Sequence, residues 1–214
     1  MRRVVIVVYD GFQLLDMTGP ADVFGAAGLL CGEDGYRVEP AAVRAGSVRA
    51  HGGITVTAAH ALADVRGPLD TLLVTGGWGT PAHLDDRELV GQIARLAGLA
   101  RRVASVCTGA FLLAEAGLLD GRRATAHWGW LDRLADFGAT PVSERVVTDG
   151  KIVTAAGASA GIDMALSLLA EARDVPTAQA AQLAIEYDPR PPFDAGSPAT
   201  ASAGLAERAL SLIA

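Results

Sequence analysis

The residues with the clearest capacity for chemistry stand in "RRVASVCTGAFLLAEAG", residues 101–117. An apolar run ends in Cys107, Thr108 and Gly109 follow, and a helical pattern starts directly after. That order predicts a strand-to-helix corner with a thiol as its first side chain. Amides at a helix N-terminus, together with the helix dipole, favour negative charge, so the corner is expected to lower the thiol pKa. A free thiol holds only a few per cent thiolate at neutral pH. Each unit of depression favours the anion by about 1.4 kcal/mol. Gly109 permits a tight turn, as in a nucleophile elbow. Thr108 offers its backbone N–H and its hydroxyl to a developing negative atom. A lone cysteine is more often a small buried hydrophobe, and it is the strand–Cys–x–Gly–helix context that favours the functional reading.

Three further stretches are candidates, each with a plainer alternative. In "VTGGWG", Gly76 and Gly77 follow an apolar run. They are either a tight turn only or a source of amides that completes an anion-binding pocket with Thr108. Trp78 either walls that pocket or covers the sheet. No Lys-Ser/Thr pair follows and the GxGxxG spacing is absent, so this is not a phosphate loop. Asp16, in "LLDMTGP", is either a working carboxyl or the cap of a helix entered through Thr18, Gly19 and Pro20. His127, in "TAHWGW", lies 20 positions after the cysteine and is either a base or a hydrogen-bonded core histidine. His51, His60 and His83 show no metal-ligand spacing, so no metal site is expected.

Elements must hold these residues together, and the pattern supplies them. "RVVIVVYDGF", "YRVEPAAV", "ITVTA", "DTLLVTGGWG" and "RRVASV" read as strands. "ERVVTDGKIVTAAG" reads as two strands joined at Asp149-Gly150, a hairpin signal. "TGPADVFGAAGLL", "DRELVGQIARLAGLA", "AFLLAEAGLL", "GWLDRLADFG", "SAGIDMALSLLAEAR" and "TAQAAQLAIEYD" read as helices. An extended "PRPPFDAGSP" then leads to a last amphipathic helix, "SAGLAERALSLI". Strands alternating with helices imply an α/β fold with a mostly parallel, doubly wound sheet and helices on both faces. In such sheets the site lies beyond the carboxyl ends of the strands. The segments carrying Asp16, Gly76-Gly77 and Cys107 all satisfy that rule.

Composition narrows the function classes. The 214 residues are 50% apolar and carry a formal charge of −6. That length suits one compact domain over 1–214, burying roughly 70% of its unfolded surface. An acidic chain with scattered Lys and Arg argues against nucleic acid as partner. Two cysteines, Cys31 and Cys107, are too few for a disulfide framework. "VVIVV" is too short for a membrane span or a signal-peptide core. A cytoplasmic location is therefore expected, with Cys107 as a free thiol and no membrane partner.

"VVIVVYDGFQLLDMTGPADVF", "LLVTGG" and "SVCTGAFLLAEAGLLDGRRATAHW" together resemble the DJ-1/PfpI superfamily, in order along the whole chain. Asp16 where other branches have glutamate, Cys107 followed by Thr108, and the tail "QLAIEYDPRPPFDAGSP" are similar to the isonitrile hydratase branch. Thr108 stands where the superfamily's proteases carry histidine, which counts against proteolysis. The front half is equally similar to the sensor domains of AraC-type regulators, whose helix-turn-helix module is not expected before Ala214. The resemblance implies a flavodoxin-like sandwich, of the class I glutamine amidotransferase-like type, and a homodimer acting on a small molecule. It implies no cofactor, and it makes Cys107, Asp16 and Thr108 the working residues, with Gly76, Gly77, Trp78 and His127 around the substrate. The implied reaction hydrates an isonitrile to an N-substituted formamide. Alternatives are a DJ-1-like glyoxalase or deglycase on the same corner, or a non-catalytic cysteine sensor. A thiolate and a carboxylate side by side cannot both ionise cheaply. A protonated Asp16 beside a Cys107 thiolate is therefore expected.

Overall fold

The computed structural model describes residues 1–213. Its first strand shows why the sheet is central. In Arg2–Val7 (β1), Val4 to Val7 are all fully buried, so the strand is apolar on both faces, as parallel strands covered by helices must be. The chain continues through Leu14–Cys31 (α1), Tyr36–Ala42 (β2), Gly46–Arg49 (β3), Thr55–Ala58 (β4), His60–Ala61 (β5) and Leu69–Val74 (β6). Thr80–His83 (α2), Arg87–Leu99 (α3), Ala100–Val106 (β7) and Gly109–Glu115 (α4) follow, and then the short Arg123–Ala124 (β8) and Thr140–Pro141 (β9). Val146–Asp149 (β10), Ile152–Ala155 (β11), Ala160–Ala172 (α5), Val175–Ala184 (α6) and Ala203–Ile213 (α7) complete it.

Seven strands form the main sheet in the order β10-β11-β7-β6-β1-β2-β5. All neighbours are parallel except the β10–β11 hairpin. Helices α1, α5 and α6 pack together on one face, while α3 and α4 cover the other. This is the α/β sheet expected from the alternating pattern, with a flavodoxin-like arrangement. From β1 the chain winds outward to β2, then returns to β6 on the other side of β1 and continues to β7. The reversal opens a crevice at the carboxyl ends of these strands, where ligands bind in open α/β sheets.

Local rules account for most boundaries. α3 starts at Asp86, whose carboxylate accepts from the amides of Glu88 and Leu89, 3.0 Å each. Two expectations need correction. α1 begins at Leu14, four residues before Thr18, and Pro20 lies inside it. Asp16 therefore sits in the first turn of the helix and cannot be its cap; Gln13 holds the capping position without a side-chain bond. "GWLDRLADFG" forms a 3-10 turn over Leu131–Phe137 rather than an α-helix, closed by Gly138 at φ 78°.

Candidate active site

Strands β1, β6, β7 and β11 end side by side, and each delivers one wall of the site. Cys107 follows β7 directly. Its amide donates to the carbonyls of Ala155 (3.0 Å) and Ala156 (2.8 Å) at the end of β11. Its φ is +58°, the left-handed region that L-residues other than Gly, Asn and Asp rarely enter. That strain turns the chain sharply into α4 and aims the sulfur over the strand ends.

The turn after β6 locks this corner to α1. Gly76 donates to Asp16 Oδ2 at 2.8 Å, and its carbonyl accepts from the Gln13 amide at 2.7 Å. Gly77 donates to Thr108 Oγ1 at 2.8 Å. A Cβ on Gly76 would lie 2.4 Å from the Thr108 nitrogen, so only glycine allows so close an approach. The sequence reading offered these two amides to an anion. Both are instead engaged within the fold, one holding the carboxyl and the other the hydroxyl.

Asp16 is fully buried, and its Oδ1 has no hydrogen-bond partner among the described residues. Burial raises its pKa to about 7, against the opposing Gly76 bond. The Cys107 thiol is also pushed well up, first by burial and then by the charge of Asp16; the Thr108 amide and hydroxyl act in the other direction. The expected depression of the thiol is thus corrected. α4 is only seven residues long, and its dipole does not offset a desolvated sulfur beside a carboxylate. Burial and the charge of Asp16 thus both favour the protonated thiol.

Cys107 lines two spaces that share Trp78 and His127 as walls. The smaller, about 300 Å³, is walled by Trp78, Pro81, Trp130, His127 and Thr108. The wider, about 570 Å³, leads outward past Gln13, His127, Arg145 and Ser159 to the tail at Gly196–Pro198. His127 faces both, and burial lowers its pKa. Its Nδ1 accepts from the Gly129 amide at 3.2 Å, which fits a neutral ring with the proton on Nε2. Trp78 lines both spaces as well, stacked on His51 with ring centroids 4.1 Å apart. Its indole N–H donates to the Leu212 carbonyl of α7 at 3.0 Å.

All seven singled-out residues thus meet at one edge of the sheet. Sequence reasoning missed Tyr9 and Thr80, which extend the Thr108 hydroxyl into a buried chain: Tyr9 Oη lies 2.8 Å from Thr80 Oγ1, and Thr80 Oγ1 lies 2.7 Å from Thr108 Oγ1. The available signals were slight, a tyrosine just past a strand and a threonine opening a short helix. Among the described residues no group of three or more His, Cys, Asp or Glu side chains could hold a metal ion, and no helix is long and apolar enough to cross a membrane.

Comparison with known proteins bears on the family and the fold. Residues 2–171 match the DJ-1/PfpI family. An isonitrile hydratase of Pseudomonas putida is 48% identical over 141 residues, 66% of this chain but only 62% of that protein. An HTH-type transcriptional regulator of Rhizobium meliloti is 31% identical over 173 residues, 80% of this chain and 53% of the regulator. The crystal structure of a ThiJ/PfpI family protein from Pseudomonas syringae superposes with a TM-score of 0.92 at 37% identity, covering 99% of this chain and 86% of that one.

Proposed function

Since the chain belongs to the DJ-1/PfpI family, we propose that it hydrates isonitriles to N-substituted formamides, with Cys107 as nucleophile and Asp16 as acid–base partner. One observation carries the reading. A fully buried carboxyl has one oxygen tied to Gly76 and the other without a partner among the described residues, and its charge acts on a thiol that opens into a cavity. The similarity to the Pseudomonas putida isonitrile hydratase supports the choice of reaction.

The isonitrile carbon must gain a nucleophile and a proton at the same atom. Asp16 as carboxylate takes the thiol proton through Oδ1 while sulfur attacks that carbon, then delivers the same proton to it. The R–N≡C group becomes a thioimidate, R–N=CH–S–Cys107. Asp16, again a carboxylate, removes a proton from water as its oxygen adds to the carbon, and the nitrogen receives that proton. The resulting R–NH–CH(OH)–S–Cys107 collapses as its hydroxyl proton returns to sulfur, releasing the formamide and the free thiol. Thr108 and His127 flank the reacting carbon, and the rings of Trp78 and Trp130 provide an apolar seat for the R group.

The same proposal includes a homodimer working in the cytoplasm on a small molecule, with both cysteines reduced. The decisive experiment incubates the protein with cyclohexyl isocyanide and reads the formamide by mass spectrometry. Lactate formation from methylglyoxal is assayed beside it, for the competing glyoxalase reading. Cys107→Ala and Asp16→Asn should each abolish formamide formation while the circular dichroism spectrum is unchanged. Full activity in either variant removes the mechanism.

A further inference from the structure

The two spaces beside Cys107 differ in what lines them. Gly77, Pro81, Thr108 and Trp130 border only the inner one. No wall of that space holds a charge: burial pushes the Cys107 thiol toward its protonated form and His127 toward its neutral one. The wider space does carry charged side chains, yet each already has a partner. Arg145 bonds Asp163 and, at 3.3 Å, Ser159 Oγ, while Glu144 accepts from Arg123 at 3.3 Å. A charged substituent entering the inner space would lose its water without gaining an ion pair, which is costly. An uncharged one gains with each carbon it buries.

The two indole walls of the inner space are held differently. Trp78 is 47% exposed and rests on the exposed His51 ring and the Leu212 carbonyl. Trp130 is fixed from several sides. Its amide donates to the His127 carbonyl at 2.9 Å. Its ring meets the buried Phe111 ring edge-on, with centroids 5.9 Å apart, and the Arg133 guanidinium carbon lies 4.4 Å from its centroid. A ring so placed cannot withdraw from a substituent without breaking these contacts. At about 300 Å³ the space also lies at the small end of ligand pockets. We propose that Trp130 is the specificity-determining residue of the site, selecting isonitriles whose R group is compact, uncharged and apolar. This rests on the hydration reading and adds to it the substrates that the site prefers.

The test compares ethyl isocyanide, cyclohexyl isocyanide and isocyanoacetate by kcat/KM for formamide formation. Beside it, propionitrile, cyclohexanecarbonitrile and cyanoacetate are scored by how far each protects Cys107 from iodoacetamide, read by peptide mass spectrometry. These nitriles share the linear terminus and the R groups, so the second arm reads the seat without the reaction. Wild type should favour the cyclohexyl over the ethyl compound about a hundredfold, and the ethyl compound over the carboxylate by about tenfold or more. Trp130→Ala should cut the cyclohexyl-to-ethyl ratio about tenfold while the ethyl compound changes by less than about twofold. Trp130→Phe, which keeps an aromatic ring against Phe111, should cut the ratio about threefold. If no isonitrile gives formamide, the reaction fails, and the nitrile ratios alone decide on Trp130. An unchanged ratio in both variants, equal losses for the ethyl and cyclohexyl compounds, or ready acceptance of the carboxylate overturns the proposal.

Discussion

Between Val4 and Val7 every residue is fully buried, and the strand that carries them hydrogen-bonds to a parallel neighbour on each side. Just beyond the ends of those same strands, Cys107 sits at φ +58° and Asp16 buries an ionisable group with an oxygen left unbonded. The strands follow every local rule, while the rim breaks several within one cluster. Such departures persist only where the surroundings over-determine them. Here the sheet anchors the Cys107 amide to β11, and the β6 turn clamps Asp16 and Thr108. A packed core therefore stabilises a site that works against its own stability.

Breaking the rule-following side should cost most. Ile6→Ala or Leu73→Ala, both at fully buried positions, should lower unfolding free energy by about 2–5 kcal/mol in urea titrations. The rim should respond with the opposite sign. Asp16 titrates at about 7 when folded against 3.8 as the reference value. A raised carboxyl pKa stabilises the fold fully below the unfolded pKa and loses that contribution as pH rises through the folded one. The ionised group then costs up to about 4 kcal/mol. Asp16→Asn should accordingly be more stable than wild type at pH 8, with the gain fading toward pH 4, and on the proposed mechanism it should be inactive. A mutant less stable at both pH values would contradict a strained rim.

Backbone strain gives a smaller and separate contrast. Cys107→Gly should be more stable than Cys107→Ala by about 1 kcal/mol, because glycine adopts the positive φ freely. Equal stabilities would mean that the corner is relaxed. The smallest effect should come from Trp78→Phe. It removes the exposed indole bond to the Leu212 carbonyl and should change stability by no more than about 0.5 kcal/mol.

The two regions also differed in how far they could be read from sequence. The strands were legible because β-branched runs bounded by glycine and aspartate carry their own periodicity, and the Cys107 corner was legible as the end of one such run. The start of α1 was not, since Gln13 provides no capping side chain and Pro20 mimics a first helical residue. Tyr9 and Thr80 were invisible because their bond joins residues 71 positions apart. The amides of Gly76 and Gly77 were open to an anion on sequence grounds, and only their partners in the fold revealed that they hold Asp16 and Thr108 instead. The thiol's acidity is hidden from the sequence for a related reason. Helix position was visible in the sequence, whereas desolvation and the neighbouring charge depend on how α1, the turn after β6 and the end of β7 pack together.

The whole reading turns on where one buried carboxyl holds its proton. Infrared difference spectra between wild type and Asp16→Asn, recorded across pH, follow the protonated-carboxyl stretch of that group alone. The stretch should grow in as pH falls through about 7, and formamide production should fall over the same range. A carboxyl that stays ionised down to its ordinary value of 3.8 would contradict the account.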